Sequence, residues 1–220
     1  IYCDHALLTA DKRLTDEVKR VFDFYNNNYK TGEYKHLLVA PFYMRDKLVT
    51  LIQKEIYNAR QNKPAYIILK LNSLTDEDMI KKLYEASEAG VKIKLIIRGI
   101  CCLIPQVKNL STNIEVISIV DKFLEHARIF VFANGGDEKY FISSADWMQR
   151  NLDFRSEVAT PIYDKDIQQE LRNILDIQLN DNVKARIINA EQDNRYVSEF
   201  RTAKSKIRAQ DEIYNYLKKL

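Results

Sequence analysis

Residues 124–151 read Leu124-Glu-His-Ala-Arg-Ile-Phe-Val-Phe-Ala-Asn-Gly-Gly-Asp-Glu-Lys-Tyr-Phe-Ile-Ser-Ser-Ala-Asp-Trp-Met-Gln-Arg-Asn151. An imidazole, His126, stands two residues before a cation, Arg128, at the head of the apolar run Ile129–Phe132. Asn134-Gly135-Gly136-Asp137 is a turn signal, and a second apolar run ends in Ser143-Ser144-Ala145-Asp146. Two such runs about a glycine-rich turn predict an antiparallel hairpin. On a strand, residues i and i+2 share a face, so His126 and Arg128 are expected to point the same way. That pairing suits a phosphate: one group to handle a proton or phosphoryl, one fixed positive charge beside it. The returning strand would carry Ser143, Ser144, Asp146, Arg150 and Asn151 back toward His126.

Outward from the hairpin, strands alternate with helices. Leu14, Val18, Val21, Phe22 and Tyr25 have helical spacing, with Thr15 as expected N-cap. His36–Ala40 reads as a short strand stopped by Pro41, and Met44 to Ala59 as a largely apolar helix. Ala65–Leu71, Lys92–Ile97 and Ile114–Val120 read as strands. Thr75-x-x-Asp78 opens a helix running toward Gly90, a natural stop. A strand near 155–162 precedes a helix from Asp164 to about Leu179, and a last helix covers roughly 204–219. This order predicts an α/β fold, a mixed β-sheet flanked by helices, with a helical C-terminal extension.

The 220 residues can bury a sizeable core, and 46% hydrophobic with 30% charged residues describes an ordinary globular protein. No apolar run approaches the roughly 18 residues of a membrane span. Three cysteines without a Cys-x-x-Cys, and three histidines, argue against a disulfide framework and a zinc site. A reducing cytoplasm is the default expectation. The chain opens on Ile-Tyr-Cys-Asp without Met or a signal peptide, which reads as a fragment. Net charge is +3, but residues 194–220 hold seven Lys/Arg against three acids. Such a tail is either a polyanion-binding segment or a solvated helical face.

Phosphate loops of the G-x-x-x-x-G-K-[ST] or G-x-G-x-x-G type are absent, as is a G-x-S-x-G elbow. Phosphate chemistry here would therefore use side chains. Arg98 closes the strand Leu95-Ile-Ile-Arg98, where open α/β sheets bind ligands, and needs an anion or a carboxylate such as Glu125. Arg155, after Asp153-Phe154, is either a surface ion pair or a second phosphate fork. His5 and His36 lack comparable neighbours and read as structural. Cys101-Cys102 reads as small buried filler.

The stretches Leu124–Gly136 and Ile142–Asp153 resemble the C-terminal signature of the phospholipase-D-like polyphosphate kinases. Leu7–Asp11, Leu69–Asn72, Ile97–Pro105, Ile117–Asp121, Glu157–Pro161, Val183–Arg186 and Asn194–Val197 resemble further segments of that family, in order. The resemblance covers essentially the whole chain. It implies a phospholipase-D-like half in which residues 1–30 continue from an upstream domain, 31–193 form the C-terminal catalytic domain and 194–220 a basic extension. It implies reversible transfer of the ATP terminal phosphate to inorganic polyphosphate through a phosphohistidine upstream of Ile1. His126 then matches the supporting histidine of the second half-site. Tyr2 matches the residue packing on adenine, and Arg98 and His126 match ATP-phosphate contacts. Arg155 matches a basic residue of the phosphate tunnel, which Arg128, Arg150, Lys184 and Arg186 are expected to line as well. Magnesium is implied as cofactor, bound mainly by residues outside the chain. ATP or ADP, polyphosphate, the upstream domains and a homo-oligomeric partner are implied, with no specific nucleic acid, at a cytoplasmic or membrane-peripheral location.

The second half-site departs from the phospholipase D pattern. Arg128 stands for Lys, Ala133 and Asn134 stand where Asp is usual, and Ser-Ser-Ala-Asp replaces Gly-Ser-x-Asn. That favours charge stabilisation or proton transfer by His126 over nucleophilic attack. Two other readings remain: a phospholipase-D-like phosphodiesterase completed by a dimer partner, and a non-catalytic polyanion-binding module.

Overall fold

The structure, a computed structural model, describes residues 2–28, 31–200 and 205–220, with Tyr2 and Cys3 as backbone alone. Eight strands share one sheet. In spatial order they are Ala185–Ile187 (β10), Ile114–Ile119 (β5), Lys92–Ile97 (β4), Tyr66–Leu71 (β3), Arg128–Phe132 (β7), Lys139–Ser143 (β8), Glu157–Ile162 (β9) and Leu38–Ala40 (β2). The strands β3, β4 and β5 are mutually parallel; every other pairing is antiparallel. Tyr2–Cys3 (β1) and Leu124–Glu125 (β6) form a separate parallel pair.

Among the described residues five α-helices surround the sheet: Lys12–Asn26 (α1), Met44–Arg60 (α2), Glu77–Glu88 (α3), Lys165–Leu179 (α4) and Ala209–Leu217 (α5). Ile67, Leu69 and Leu71 of β3, with Phe130 and Phe132 of β7, bury against Leu48, Ile52 and Leu83 of α2 and α3. Ile68, Ile129 and Val131, on the opposite face, meet Leu171, Leu175 and Ala209 of α4 and α5. Both faces are covered, which is why Ile129–Phe132 is apolar at every position rather than alternating with polar residues.

Local chemistry shifts several expected boundaries. Asp11, not Thr15, caps α1, its carboxylate accepting from Arg13 N at 2.9 Å. Asp76, one residue after Thr75, caps α3 by accepting from Met79 N at 3.0 Å. Gly90 follows α3 at φ +95°, a conformation that only glycine adopts without strain. His36 and Leu37 precede β2 rather than belonging to it, because the Glu17 carboxylate takes their N–H groups. The C-terminal helix begins at Ala209 rather than near 204, where Asp181 Oδ2 accepts from Ala209 N at 2.6 Å; residues 201–204 lie outside the described residues. Asp164 caps α4 as expected. No helix among the described residues is long and apolar enough to cross a membrane.

The sheet register aligns four chemistry-bearing chain ends on one edge. β3 and β4 end there at Leu71 and Ile97; β7 begins there, opposite Ser143 at the end of β8. Asn72, Arg98, Arg128 and Ser143 therefore meet by topology.

Candidate phosphate site at the sheet edge

Trp147 sets the geometry. Its fully buried indole meets Phe130 edge-on at 5.8 Å and draws the Ser-Ala-Asp-Trp loop inward. The Trp147 carbonyl accepts from Thr75 N and Asp76 N at 2.9 and 3.0 Å, and Trp147 N donates to Ser73 O. Asp146 is thereby delivered to the end of β3. Its Oδ1 accepts from Asn72 N at 2.7 Å and Ser73 N at 3.1 Å, and its Oδ2 from Arg128 NH2 at 2.9 Å.

Arg128 is thus aimed by a carboxylate. Its NH1 lies 3.1 Å from His126 Nδ1 and donates to His126 O at 3.0 Å. The two residues are neighbours by direct contact rather than by strand alternation, since β7 begins only at Arg128 and His126 lies between β6 and β7. Asn72 joins the third member: it accepts from Arg98 Nε at 2.7 Å and donates to His126 O at 3.3 Å. Partial burial lowers the His126 pKa, and the nearby charges of Arg128 and Arg98 lower it further; Asp4 and Asp146 oppose. The imidazole is therefore held toward its neutral form.

Beside this cluster lies a cavity of about 390 Å³ lined by Asp4, His5, His126, Arg128, Ser144 and Thr160, among others. Arg128 Nε is buried and has no hydrogen-bond partner among the described residues.

The structure brings His126, Arg98, Arg128, Ser143 and Asp146 to one edge, but corrects other expectations. Arg98 is not paired with Glu125, which instead binds Lys70 at 2.7 Å. Asn151 turns away and donates to Glu157 at 2.7 Å, and Ser144 donates to the same carboxylate. Arg150 and Arg155 are exposed at either end of a π-helical turn, without ion pairs among the described residues; Asp153 pairs with Arg45, not Arg155. Arg186 lies two strands along from Arg98, with its guanidinium already spent on Asn194 O and on stacking over Tyr196 at 4.0 Å. Lys184 sits just before β10, half-buried. The Tyr2 side chain lies outside the described residues. Two cations of the basic tail are paired internally: Arg208 with Asp121 and Arg195 with Glu199.

The sequence reading passes over Asn72 and takes His5 as structural. Asn72 carries no charge to mark it. His5 reaches the cavity only because β1 pairs with β6, across about 120 positions. Among the described residues, no group of three or more His, Cys, Asp or Glu side chains is arranged to hold a metal ion.

Residues 37–210 match the protein family described as polyphosphate kinase C-terminal domain 2. The chain is 49% identical over all 220 residues to the polyphosphate kinase of Escherichia coli (strain K12), covering 32% of that protein. It is 50% identical over 218 residues to the polyphosphate kinase of Vibrio vulnificus (strain YJ016), covering 31% of it. The crystal structure of polyphosphate kinase from Porphyromonas gingivalis superimposes with a TM-score of 0.91 at 45% identity, over 96% of this chain and 32% of that one. Nuc from Salmonella typhimurium, a phospholipase D family member, matches with a TM-score of 0.51 at 16% identity, over 70% of this chain and 97% of its own; that likeness concerns the fold alone. The chain thus spans about a third of the length of the curated relatives it matches.

Proposed function

We propose, because this chain belongs to the polyphosphate kinase C-terminal domain 2 family, that it supplies one half of a site transferring the terminal phosphate of ATP to inorganic polyphosphate. The reaction is reversible and runs through a phosphohistidine upstream of Ile1. The observation that carries this reading is the convergence of Arg98, His126 and Arg128 on one sheet edge, beside a cavity that His126 and Arg128 line.

Phosphoryl transfer asks a protein mainly for position and for compensation of charge on the transferring group. Two guanidiniums fixed by Asn72 and Asp146 provide compensation without reorganising. Burial and the neighbouring cations hold His126 toward its neutral form. Bound phosphates bring negative charge beside it, favour its protonation and make it a donor to the leaving or incoming oxygen. Magnesium would supply Lewis-acid compensation at the phosphates. Its ligands are proposed to lie mainly outside this chain, as the family resemblance implies; among the described residues no group of three or more His, Cys, Asp or Glu side chains is arranged to hold a metal ion. Arg150 and Arg155, exposed beyond the cluster, suit transient contact with a long polyanion. Lys184 and Arg186 lie farther along the edge and are the weaker members of that set.

The test is His126→Ala in the complete polypeptide, followed by synthesis of acid-insoluble polyphosphate from labelled ATP. Turnover should fall by about 10²-fold or more; near-parental turnover would remove His126 from the chemistry. The 220-residue chain alone should not make ATP from ADP and polyphosphate, and activity in it would overturn the upstream phosphohistidine. Hydrolysis of a bis-aryl phosphodiester instead would favour the phosphodiesterase reading.

A further inference from the structure

The segment 121–127 carries His126 between β5 and β7, and its only strand pairing among the described residues is the two residues of β6. Much of what holds it comes from the far end of the chain. The carboxamide of Gln210, in α5, lies against Phe123. Phe123 N–H donates to Gln210 Oε1 at 3.0 Å, and Gln210 Nε2 donates to the Phe123 carbonyl at 2.9 Å. One side-chain amide thus satisfies both backbone groups of one residue, as a neighbouring strand would. The same Nε2 donates to Glu125 Oε1 at 3.1 Å. The other Glu125 oxygen accepts from Lys70 Nζ at 2.7 Å and from Gln178 Nε2. The next residue is His126, whose carbonyl accepts from Asn72 and Arg128.

The α5 helix is itself fixed. Arg208 grips Asp121 through two nitrogens at 2.8 and 2.7 Å, and Asp181, fully buried, accepts from Ala209 N. The side chain at 210 must offer one acceptor and one donor, and must tolerate a carboxylate 3.1 Å away. Glutamine meets all three demands; glutamate fails the second and third.

We infer that Gln210 is a positioning residue for His126, a side-chain clamp by which the C-terminal helix fixes the segment presenting the imidazole to the phosphates. The inference rests on the proposed phosphoryl transfer. Gln210 touches no reacting atom; it acts through residues 123–125.

In the complete polypeptide, Gln210→Met keeps the approximate volume and removes all three hydrogen bonds. The kcat for ATP-dependent polyphosphate synthesis should fall at least about tenfold, with KM for ATP within about threefold, since a misplacement of about 1 Å costs that much or more. Amide exchange at Phe123 should quicken by about tenfold or more while β3 and β4 keep their protection. Gln210→Glu retains the acceptor for Phe123 N–H but faces Glu125, and should also lose kcat. Parental kcat in either folded variant overturns the clamp. So does lost kcat with unchanged exchange at Phe123, or loss of protection spread evenly through β3 and β4. If the parent polypeptide itself makes no polyphosphate, phosphoryl transfer fails as the function. Exchange at Phe123 then decides the clamp separately, and an unchanged rate there overturns it.

Discussion

Replacing Asp146 by alanine should unfold the site, and most of the cost can be worked from its three contacts. Asp146 and Arg128 are side chains only 10% and 12% exposed. Removing the carboxylate strips the acceptor from Asn72 N, which is buried, and Ser73 N, which is half-buried. Each buried donor left without a partner costs about 1–3 kcal/mol. It also leaves Arg128 without its counter-charge, and breaking one side of a buried pair costs about 3–5 kcal/mol. The open cavity beside Arg128 lets water recover part of the second cost, and the His126 carbonyl still accepts from NH1. A net loss of about 4–6 kcal/mol is expected, a large share of the roughly 5–15 kcal/mol that holds a domain of this size. Asp146→Asn keeps the carbonyl for the two backbone donors but loses the acceptor and the charge facing Arg128, so about 2–4 kcal/mol is expected, most of it from the stranded cation. Urea unfolding followed by far-ultraviolet circular dichroism measures both. Adding Arg128→Met to Asp146→Ala should recover part of the loss, because no stranded cation remains. The reasoning is refuted if Asp146→Ala lies within about 1 kcal/mol of the parent, or if the double variant is no more stable than Asp146→Ala.

Three further outcomes are expected. Gly99→Ala places a Cβ 2.9 Å from the Asn72 carbonyl, which already accepts from Gly99 N at 2.8 Å, so the backbone must part. The expected cost is about 1–3 kcal/mol with weaker ATP binding, read by urea unfolding and calorimetry; parental values of both would count against the close approach. Arg98→Ala in the complete polypeptide should weaken ATP binding by about tenfold or more with the unfolding midpoint little changed, and unchanged affinity would remove Arg98 from the site. Glu55, fully buried, accepts from Asn134 N at 2.5 Å and Tyr66 N at 3.2 Å, yet burial raises its pKa from 4.5 to about 7. An acid with a raised folded-state pKa contributes stability that is full below 4.5 and is lost as pH rises through about 7. Glu55→Gln should therefore flatten the fall in stability across that window by up to about 3 kcal/mol, and equal pH slopes in parent and variant would refute the assignment.

The hairpin was legible because its signals are local: an apolar run, Asn-Gly-Gly, and a second apolar run ending in serines. Asn134 and Gly135 indeed turn with φ of 48° and 71°, between strands paired Phe132 to Lys139. Helix caps were harder. Thr15 and Asp11 are both competent, and the choice fell to Asp11 because its carboxylate binds Arg13 by side chain as well as backbone. The placement of Arg98 at a strand end followed from periodicity, but its partner did not. Glu125 and Asn72 were equally available in sequence, and only the sheet puts Asn72 beside Arg98. Asp4 and His5 reach the cavity through two-residue strands, too short to show any period.

One long-range signal did stand in the sequence. Lys70 interrupts Ile67-Ile-Leu-Lys-Leu71, the apolar run that becomes a central strand, and a lysine covered on both faces requires an acid. Its acid is Glu125, one residue before His126. Desolvating two charges is costly, and apolar residues of similar volume would hold the sheet about as well. What they could not supply is direction. Glu125 accepts from Lys70 on β3, Gln178 on α4 and Gln210 on α5, so residue 125 has one position relative to three elements. The chain then has a single residue in which to reach Ala127 and the start of β7. His126 must emerge at the edge where Asn72 and Arg128 meet it. The buried pair and the imidazole that follows it in the chain are placed by one constraint, and its value lies in placement rather than in stability.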